Sequence, residues 1–160
     1  MNDGHELRRC REAAYRLLAR RDHAERELAQ KLNRRFEPQV VETVLDGLRG
    51  RGLLDDRRYA LAFARELINK GPCGARLIRR KLGGRGVAPE MVEEVLAGLE
   101  LDEAELAEEA VRLKLASLAG EEDETAARRL LAHLERRGFA GETARNAVIH
   151  ALKRRPKESG

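Results

Sequence analysis

The chain has 160 residues, of which 42% are hydrophobic, enough apolar material for one or two small domains with a core. Its 32 basic and 28 acidic side chains leave a net charge of +4, which is compatible with a polyanionic partner. Two cysteines are too few for a disulfide framework, and no apolar run reaches the roughly 18 residues of a membrane span. We therefore expect a cytoplasmic protein that folds without disulfides.

One apolar pattern occurs three times along the chain, about fifty residues apart. In each copy an apolar pair four residues apart precedes a turn, and Pro or Gly then opens a second apolar stripe with helical spacing. The copies are Leu28, Leu32, Phe36, Pro38, Val41, Val44, Leu45, Leu48; then Ile78, Leu82, Val87, Pro89, Val92, Val95, Leu96, Leu99; then Leu130, Leu134, Phe139, Gly141, Ala144, Ala147, Val148, Ala151.

A further amphipathic segment precedes each copy, at Glu6–Arg20, Asp55–Asn69 and Asp102–Leu118. Because Ala, Leu, Arg and Glu dominate the composition, we predict an all-α fold with three three-helix repeats. The expected boundaries are 1–52, 53–100 and 101–155, followed by a disordered tail at 156–160. A tandem array of this kind predicts an elongated, curved molecule.

Helix starts and core positions follow from the same pattern. Asp22 and Glu25 have the spacing of a capping box for the second helix, while Asp55 and Asp56 supply a cap and a dipole partner for the fourth. The aromatic side chains lie on or beside apolar stripes, so we interpret them as core. The leucines predicted to be buried are Leu32, Leu45, Leu82, Leu96 and Leu134.

Charge is segregated along the chain. Residues 57–85 contain nine bases and one acid, a net charge of +8, whereas residues 87–109 contain nine acids and no base. In the helix predicted at Ala75 to Leu82, Arg76 and Arg80 lie nearly opposite the apolar face. The sequence therefore predicts a basic surface that could face a polyanion.

We find no pattern that supports catalysis or a metal site. The four histidines have no partner at metal-ligand spacing, and Cys10 lies near an apolar stripe, which favours core packing. The segment Gly83-Gly84-Arg85-Gly86 lacks the Lys-Ser/Thr of a phosphate loop and is better interpreted as a helix stop. We expect a protein that is not an enzyme and has no cofactor.

The segment Gly52-Leu53-Leu54-Asp55-Asp56-Arg57-Arg58-Tyr59-Ala60 resembles the most recognisable stretch of RecX regulatory proteins. Lys70-Gly71-Pro72, the stretch Ala75 to Leu82 and Arg85-Gly86-Val87 resemble the same family. The resemblance implies binding to the RecA nucleoprotein filament and inhibition of filament extension, ATP hydrolysis, strand exchange and repressor cleavage, in recombinational repair and the SOS response. It implies no cofactor.

Combining the basic window with this resemblance, we predict a surface for the RecA filament or nucleic acid. Its residues are Arg57, Arg58, Lys70, Arg76, Arg79, Arg80, Lys81 and Arg85. Direct DNA binding is expected to be weak and mediated by phosphates, and the protein is expected to be a monomer. The alternative that remains is a DNA-binding transcription regulator built from helix-turn-helix units.

Overall fold

A computed structural model describes residues 3–157 and shows nine α-helices, one 3-10 turn and no strand within that range. The helices are α1 (Asp3–Arg20), α2 (Glu25–Asn33), α3 (Pro38–Gly50), α4 (Asp56–Lys70), α5 (Ala75–Gly84), α6 (Pro89–Leu99), α7 (Glu103–Leu115), α8 (Asp123–Arg136) and α9 (Gly141–Arg154). The 3-10 turn, Ala116–Leu118, follows α7. The predicted all-α fold with repeated three-helix domains is confirmed. Of the expected tail, residues 158–160 lie outside the described residues.

The chain divides into two compact units, and the boundaries fall inside α4, α5 and α6. Unit 1 contains Met1–Phe63 and Leu82–Val95. Its core is formed by one face each of α1, α2 and α3, together with Phe36 and Leu54 from the loops that follow α2 and α3. The buried members of this core are Cys10, Ala14, Leu28, Leu32, Phe36, Val41, Val44, Leu45, Leu48 and Leu54.

Unit 2 contains Ala64–Lys81 and Leu96–Gly160, and its core lies between α7, α8 and α9. This core is rich in alanine. Its buried members are Ala107, Ala110, Val111, Leu118, Ala126, Leu130, Leu134, Phe139, Ala144, Ala147 and Val148. All five leucines predicted as core are buried, with exposed fractions from 0% to 9%, which confirms the assignment of helix faces.

Two acidic residues cap the helices that they precede. The Asp55 carboxylate accepts a hydrogen bond from the backbone N–H of Arg58 at 3.1 Å, as predicted. Asp102 accepts one from the N–H of Glu105 at 3.1 Å. In both cases the side chain satisfies a backbone donor that the first turn of a helix leaves without a partner.

The predicted Asp22 capping box is wrong. The residue at the α2 N-cap is Ala24, which offers no side-chain acceptor. The N–H of Glu25 instead donates to Asp56 Oδ1 at 2.9 Å. In unit 2 the N–H of Ala75, at the start of α5, likewise donates to Glu103 Oε1 at 2.8 Å. The second helix of one repeat is thus capped by the first helical residue of the next repeat.

A glycine turn between α8 and α9 packs against the start of α5. The N–H of Gly74 donates to the carbonyl of Arg137 at 2.9 Å, and the N–H of Arg76 donates to that of Gly138 at 3.2 Å. Gly138 has φ of +85°, and a Cβ there would lie 2.3 Å from the backbone nitrogen of Leu77. Only glycine fits, because the backbone is left-handed and the contact is too close for any side chain.

Candidate basic interface

The α5 helix carries four exposed bases: Arg76, Arg79 and Arg80 lie side by side on one face, whereas Lys81 lies between Leu77 and Ile78 around the helix. Leu77 and Ile78 are buried, whereas Arg76, Arg79, Arg80 and Lys81 are all exposed. No acidic residue occurs within Ala75–Gly84, so nothing on the helix itself neutralises these charges. Arg76, Arg80 and Lys81 form no ion pair with any residue in the described range 3–157. Four of the eight predicted site residues are therefore brought together on this helix.

Lys70, the fifth predicted residue in unit 2, lies at the end of α4. Its ammonium group is 3.0 Å from the carboxylate of Glu66, one turn earlier, and both side chains are largely exposed. An exposed pair at this spacing contributes about 0.3–0.5 kcal/mol and is readily exchanged for another anion. Lys70 therefore remains available to a phosphate or a carboxylate of a partner.

Arg57 and Arg58 lie in unit 1, in the first turn of α4, and both are exposed. The guanidinium of Arg58 donates a hydrogen bond to the carbonyl of Gly52 at 3.1 Å and so closes the loop that precedes the helix. Arg57 has no ion-pair partner among residues 3–157. The side chain of Arg57 is therefore less constrained than that of Arg58 by contacts within this protein.

Arg85, the remaining predicted residue, belongs to a charged cluster in unit 1. Its guanidinium lies 3.7 Å from the carboxylate of Glu27 and 5.6 Å from the ring centroid of Phe63. Arg21 donates to the same carboxylate, and the ammonium of Lys31 is 3.5 Å away. Three cations therefore surround one acid, and the cluster keeps a surplus of positive charge.

Sequence reasoning missed Arg21 and Lys31 because they are more than fifty residues before Arg85 and outside the basic window. Although burial raises the pKa of Glu27, the hydrogen bond and charge of Arg21 and the nearby cations hold it below its usual value. Glu27 is therefore ionised at neutral pH and fixes the orientation of all three basic groups.

His23 is a buried neighbour of this charged cluster and contacts Lys31. It is 4% exposed, its Nδ1 is 2.9 Å from the carbonyl of Arg21, and its Nε2 is 2.9 Å from the Lys31 ammonium. Because an ammonium can only donate, Nε2 is the acceptor and Nδ1 carries the proton. Burial lowers the pKa of His23, and the charges of Lys31 and Arg21 lower it further. The imidazole is therefore neutral and orients Lys31.

The aromatic side chains offer little surface for base stacking. Phe36, Tyr59 and Phe139 are buried, which confirms their interpretation as core residues. Tyr15 and Phe63 are half-buried, and the Tyr15 hydroxyl accepts a hydrogen bond from Arg51 at 2.6 Å. A nucleic acid on this protein would consequently be held by its phosphates rather than by stacked bases.

The two cysteines lie in the core of the protein rather than at an accessible site. Cys10 and Cys73 are both fully buried, and burial raises the pKa of each thiol, which keeps it protonated. Within the described part of the chain, no three His, Cys, Asp or Glu side chains cluster as metal ligands would. None of the helices between residues 3 and 157 has the length and apolar character needed to cross a bilayer.

Comparison with family models shows two matched regions. Residues 10–48 match the model of the first RecX three-helix domain, and residues 55–96 match that of the second. The regulatory protein RecX of Halorhodospira halophila is 42% identical over 142 residues, which span 88% of this chain and 87% of that protein. RecX of Chromohalobacter salexigens is 39% identical over 142 residues, covering 88% and 91% of the two chains.

Solved structures agree with the fold. The crystal structure of RecX from Lactobacillus salivarius superposes with a TM-score of 0.81, covering 94% of this chain and 98% of that one at 18% identity. A second crystal structure, of a regulatory protein RecX, gives a TM-score of 0.76 over 88% of this chain and 70% of that chain, at 22% identity. At this identity the likeness supports the helical architecture alone.

Proposed function

Because this chain belongs to the RecX family of regulatory proteins, we propose that it binds the RecA nucleoprotein filament and inhibits it. The inhibited activities are filament extension, ATP hydrolysis, strand exchange and repressor cleavage, in recombinational repair and the SOS response. The action is stoichiometric binding by a monomer, without catalysis and without a cofactor. Its repeats are residues 1–52, 53–100 and 101–155.

The observation that carries this proposal is the basic face of α5. A filament of protein on single-stranded DNA is strongly anionic, and a helix with four exposed bases and no acid is complementary to it. The proposal also includes Lys70 of unit 2 and, in unit 1, Arg57, Arg58 and Arg85. The charge surplus around Glu27 adds Arg21 and Lys31 to the residues that a polyanion would meet.

Direct binding to DNA is the weaker part of the interaction. Contacts from Lys and Arg to phosphates release counterions, so affinity falls steeply as salt rises. Buried aromatic side chains add no salt-independent stacking energy. We therefore assign most of the affinity for the filament to the recombinase protein rather than to its DNA.

The test is ATP hydrolysis by the cognate recombinase on single-stranded DNA, titrated with this protein. The expected result is inhibition that is complete at or below one molecule per recombinase. Unchanged hydrolysis at every ratio would overturn the proposal. Tight, sequence-specific binding to duplex DNA in the absence of recombinase would instead support a helix-turn-helix transcription regulator.

A further inference from the structure

In unit 1, Arg21, Lys31 and Arg85 share the single carboxylate of Glu27, and these four side chains are named the Glu27 cluster. Arg21 donates to both carboxylate oxygens. The ammonium of Lys31 lies 3.5 Å from Oε1, and the guanidinium of Arg85 lies 3.7 Å from the same oxygen. Nitrogens of all three cations therefore converge on one position, which an anionic oxygen occupies. Three positive charges face one negative charge there, so the cluster remains attractive to a further anion.

Two of these cations are also held by neutral partners, which fix their positions without cancelling their charges. The ammonium of Lys31 lies 2.9 Å from Nε2 of His23, whose neutral imidazole is buried. The guanidinium of Arg85 lies 5.6 Å from the ring centroid of Phe63, within the range of a cation–π contact. A cation that is held in place before its ligand arrives loses less conformational entropy on binding. The arrangement is therefore that of a preorganised site for an anion.

A second ion-pair cluster in unit 1 has the opposite balance of charge. Arg49 makes ion pairs with three acids, Glu25, Glu42 and Asp46. One cation thus faces three carboxylates at Arg49, whereas three cations face one carboxylate in the Glu27 cluster. An anion that approaches unit 1 is therefore attracted to the Glu27 cluster rather than to Arg49, whose charge is already balanced.

The exposure of the cluster and the number of its donors favour a phosphate as the ligand. The side chains of Arg21, Lys31 and Arg85 are 43%, 35% and 40% exposed, whereas that of Glu27 is 15% exposed. Solvent therefore reaches the cations more readily than the acid. A tetrahedral phosphate presents oxygens in several directions and can accept charge-assisted hydrogen bonds from three convergent donors, whereas a carboxylate has two oxygens in one plane.

We propose that the Glu27 cluster binds one phosphate group of a nucleic-acid backbone, and that Glu27 is the internal anion with which this phosphate competes. The inference rests on the proposed function, under which the phosphate belongs to the DNA of the recombinase filament. Without DNA, the carboxylate of Glu27 keeps the three cations together. When a phosphate binds, the same cations bond to its oxygens and the charge of Glu27 repels it. Glu27 therefore keeps the affinity of the protein for DNA low.

The first test variant is Glu27→Gln, because the amide oxygen of glutamine still accepts hydrogen bonds from Arg21 but carries no charge. Binding of single-stranded oligothymidylate is measured by fluorescence anisotropy, without recombinase, at a series of salt concentrations. The variant should bind roughly fourfold more tightly than the parent, the effect of one unit charge at about 5 Å in water. The matched control is Glu12→Gln on α1, which removes one exposed acid. It should bind as the parent does at about 0.1 M salt, where charges more than about 10 Å away are screened.

The second test variant removes two of the cations. Lys31→Gln with Arg85→Gln should weaken DNA binding and reduce the slope of log affinity against log salt by about 1, the loss expected for one phosphate contact. Arg8→Gln with Arg9→Gln removes two exposed cations from α1 and should leave the slope unchanged. Thermal melts identify the variants that fold. A folded Glu27→Gln variant that binds DNA no more tightly than the parent, or a folded cation variant with the parent's slope, would show that the phosphate site is wrong.

Inhibition of ATP hydrolysis by the recombinase separates this proposal from the proposed function. If the parent inhibits hydrolysis and the folded variants bind DNA as the parent does, the phosphate site is wrong and the proposed function stands. If the variants change inhibition but not DNA binding, the anion is a carboxylate of the recombinase protein, which also overturns the phosphate site. If the parent does not inhibit hydrolysis, the proposed function fails, and the DNA titration by itself decides whether the cluster binds phosphate.

Discussion

The carboxylate of Asp56, at the start of α4, accepts a hydrogen bond from the backbone N–H of Glu25, at the start of α2, across 31 residues. The contact joins the second helix of the first repeat to the first helix of the second. Glu103 makes the equivalent contact with Ala75 fifty residues later. The capping acceptor is thus supplied by the next repeat.

Removing this acceptor should destabilise the fold. Asp56→Ala is expected to lower the free energy of unfolding by about 0.5–2 kcal/mol, as for other lost N-caps. Asp56→Asn should cost less, because its amide oxygen still accepts, and because burial raises the pKa of Asp56 and so disfavours the charge. Urea unfolding monitored by circular dichroism measures the free energy of unfolding of both variants. Equal losses in the two variants would show that the charge, rather than the hydrogen bond, matters.

Gly138 should be intolerant of substitution. Gly138→Ala is expected to destabilise the protein by more than about 1 kcal/mol, because φ is positive and the new Cβ meets the backbone of Leu77. The control is Gly83→Ala within α5, where a Cβ meets nothing within 4 Å, and this change should stabilise by up to about 1 kcal/mol. Thermal melts measure the stability of both variants. A Gly138→Ala variant as stable as the parent would contradict the turn geometry.

The buried leucines should dominate stability. Leu134 is fully buried in the core of unit 2, so Leu134→Ala should cost about 2–5 kcal/mol in free energy of unfolding. Leu113, on the neighbouring helix α7, is 56% exposed, and Leu113→Ala should change stability by no more than about 0.5 kcal/mol. Chemical denaturation compares the pair directly, and similar losses in both would mean that burial is not the cause.

Stability should fall as the solution is acidified from neutral pH. Burial lowers the pKa of His23 and of His133, so the unfolded chain binds a proton at higher pH than the folded chain does. Stability is therefore fully present above the ordinary histidine pKa of about 6.5 and decreases as pH drops below it. Unfolding free energies measured between pH 7.5 and 5 should show this slope. The slope should be smaller in His23→Gln, and an unchanged slope would exclude His23 as its source.

Charge reversal on α5 tests the proposed interface. Arg76→Glu with Arg80→Glu should leave stability within about 0.5 kcal/mol of the parent, because both side chains are exposed, and should strongly weaken inhibition of ATP hydrolysis. Arg128→Glu with Arg145→Glu makes the same change in net charge on α8 and α9 and should spare inhibition. A folded α5 variant that inhibits as well as the parent would remove this helix from the contact surface.

The sequence by itself determined the helical repeats and the burial of their leucines, because a period of 3.6 residues and the spacing of Pro and Gly are local properties. It also placed Arg76 and Arg80 opposite Ile78, since positions on one helix are fixed by its geometry. The cap of Asp55 on its own helix was predictable for the same reason.

Contacts between distant segments were decided only by the tertiary structure. Asp22 has the right spacing for a cap, yet the acceptor for Glu25 is Asp56, because packing of α2 against the start of α4 brings that carboxylate closer. The sequence predicted Arg85 as one base of the basic window, but folding places it beside Glu27 and Phe63. Arg21 and Lys31 contact the same Glu27 carboxylate.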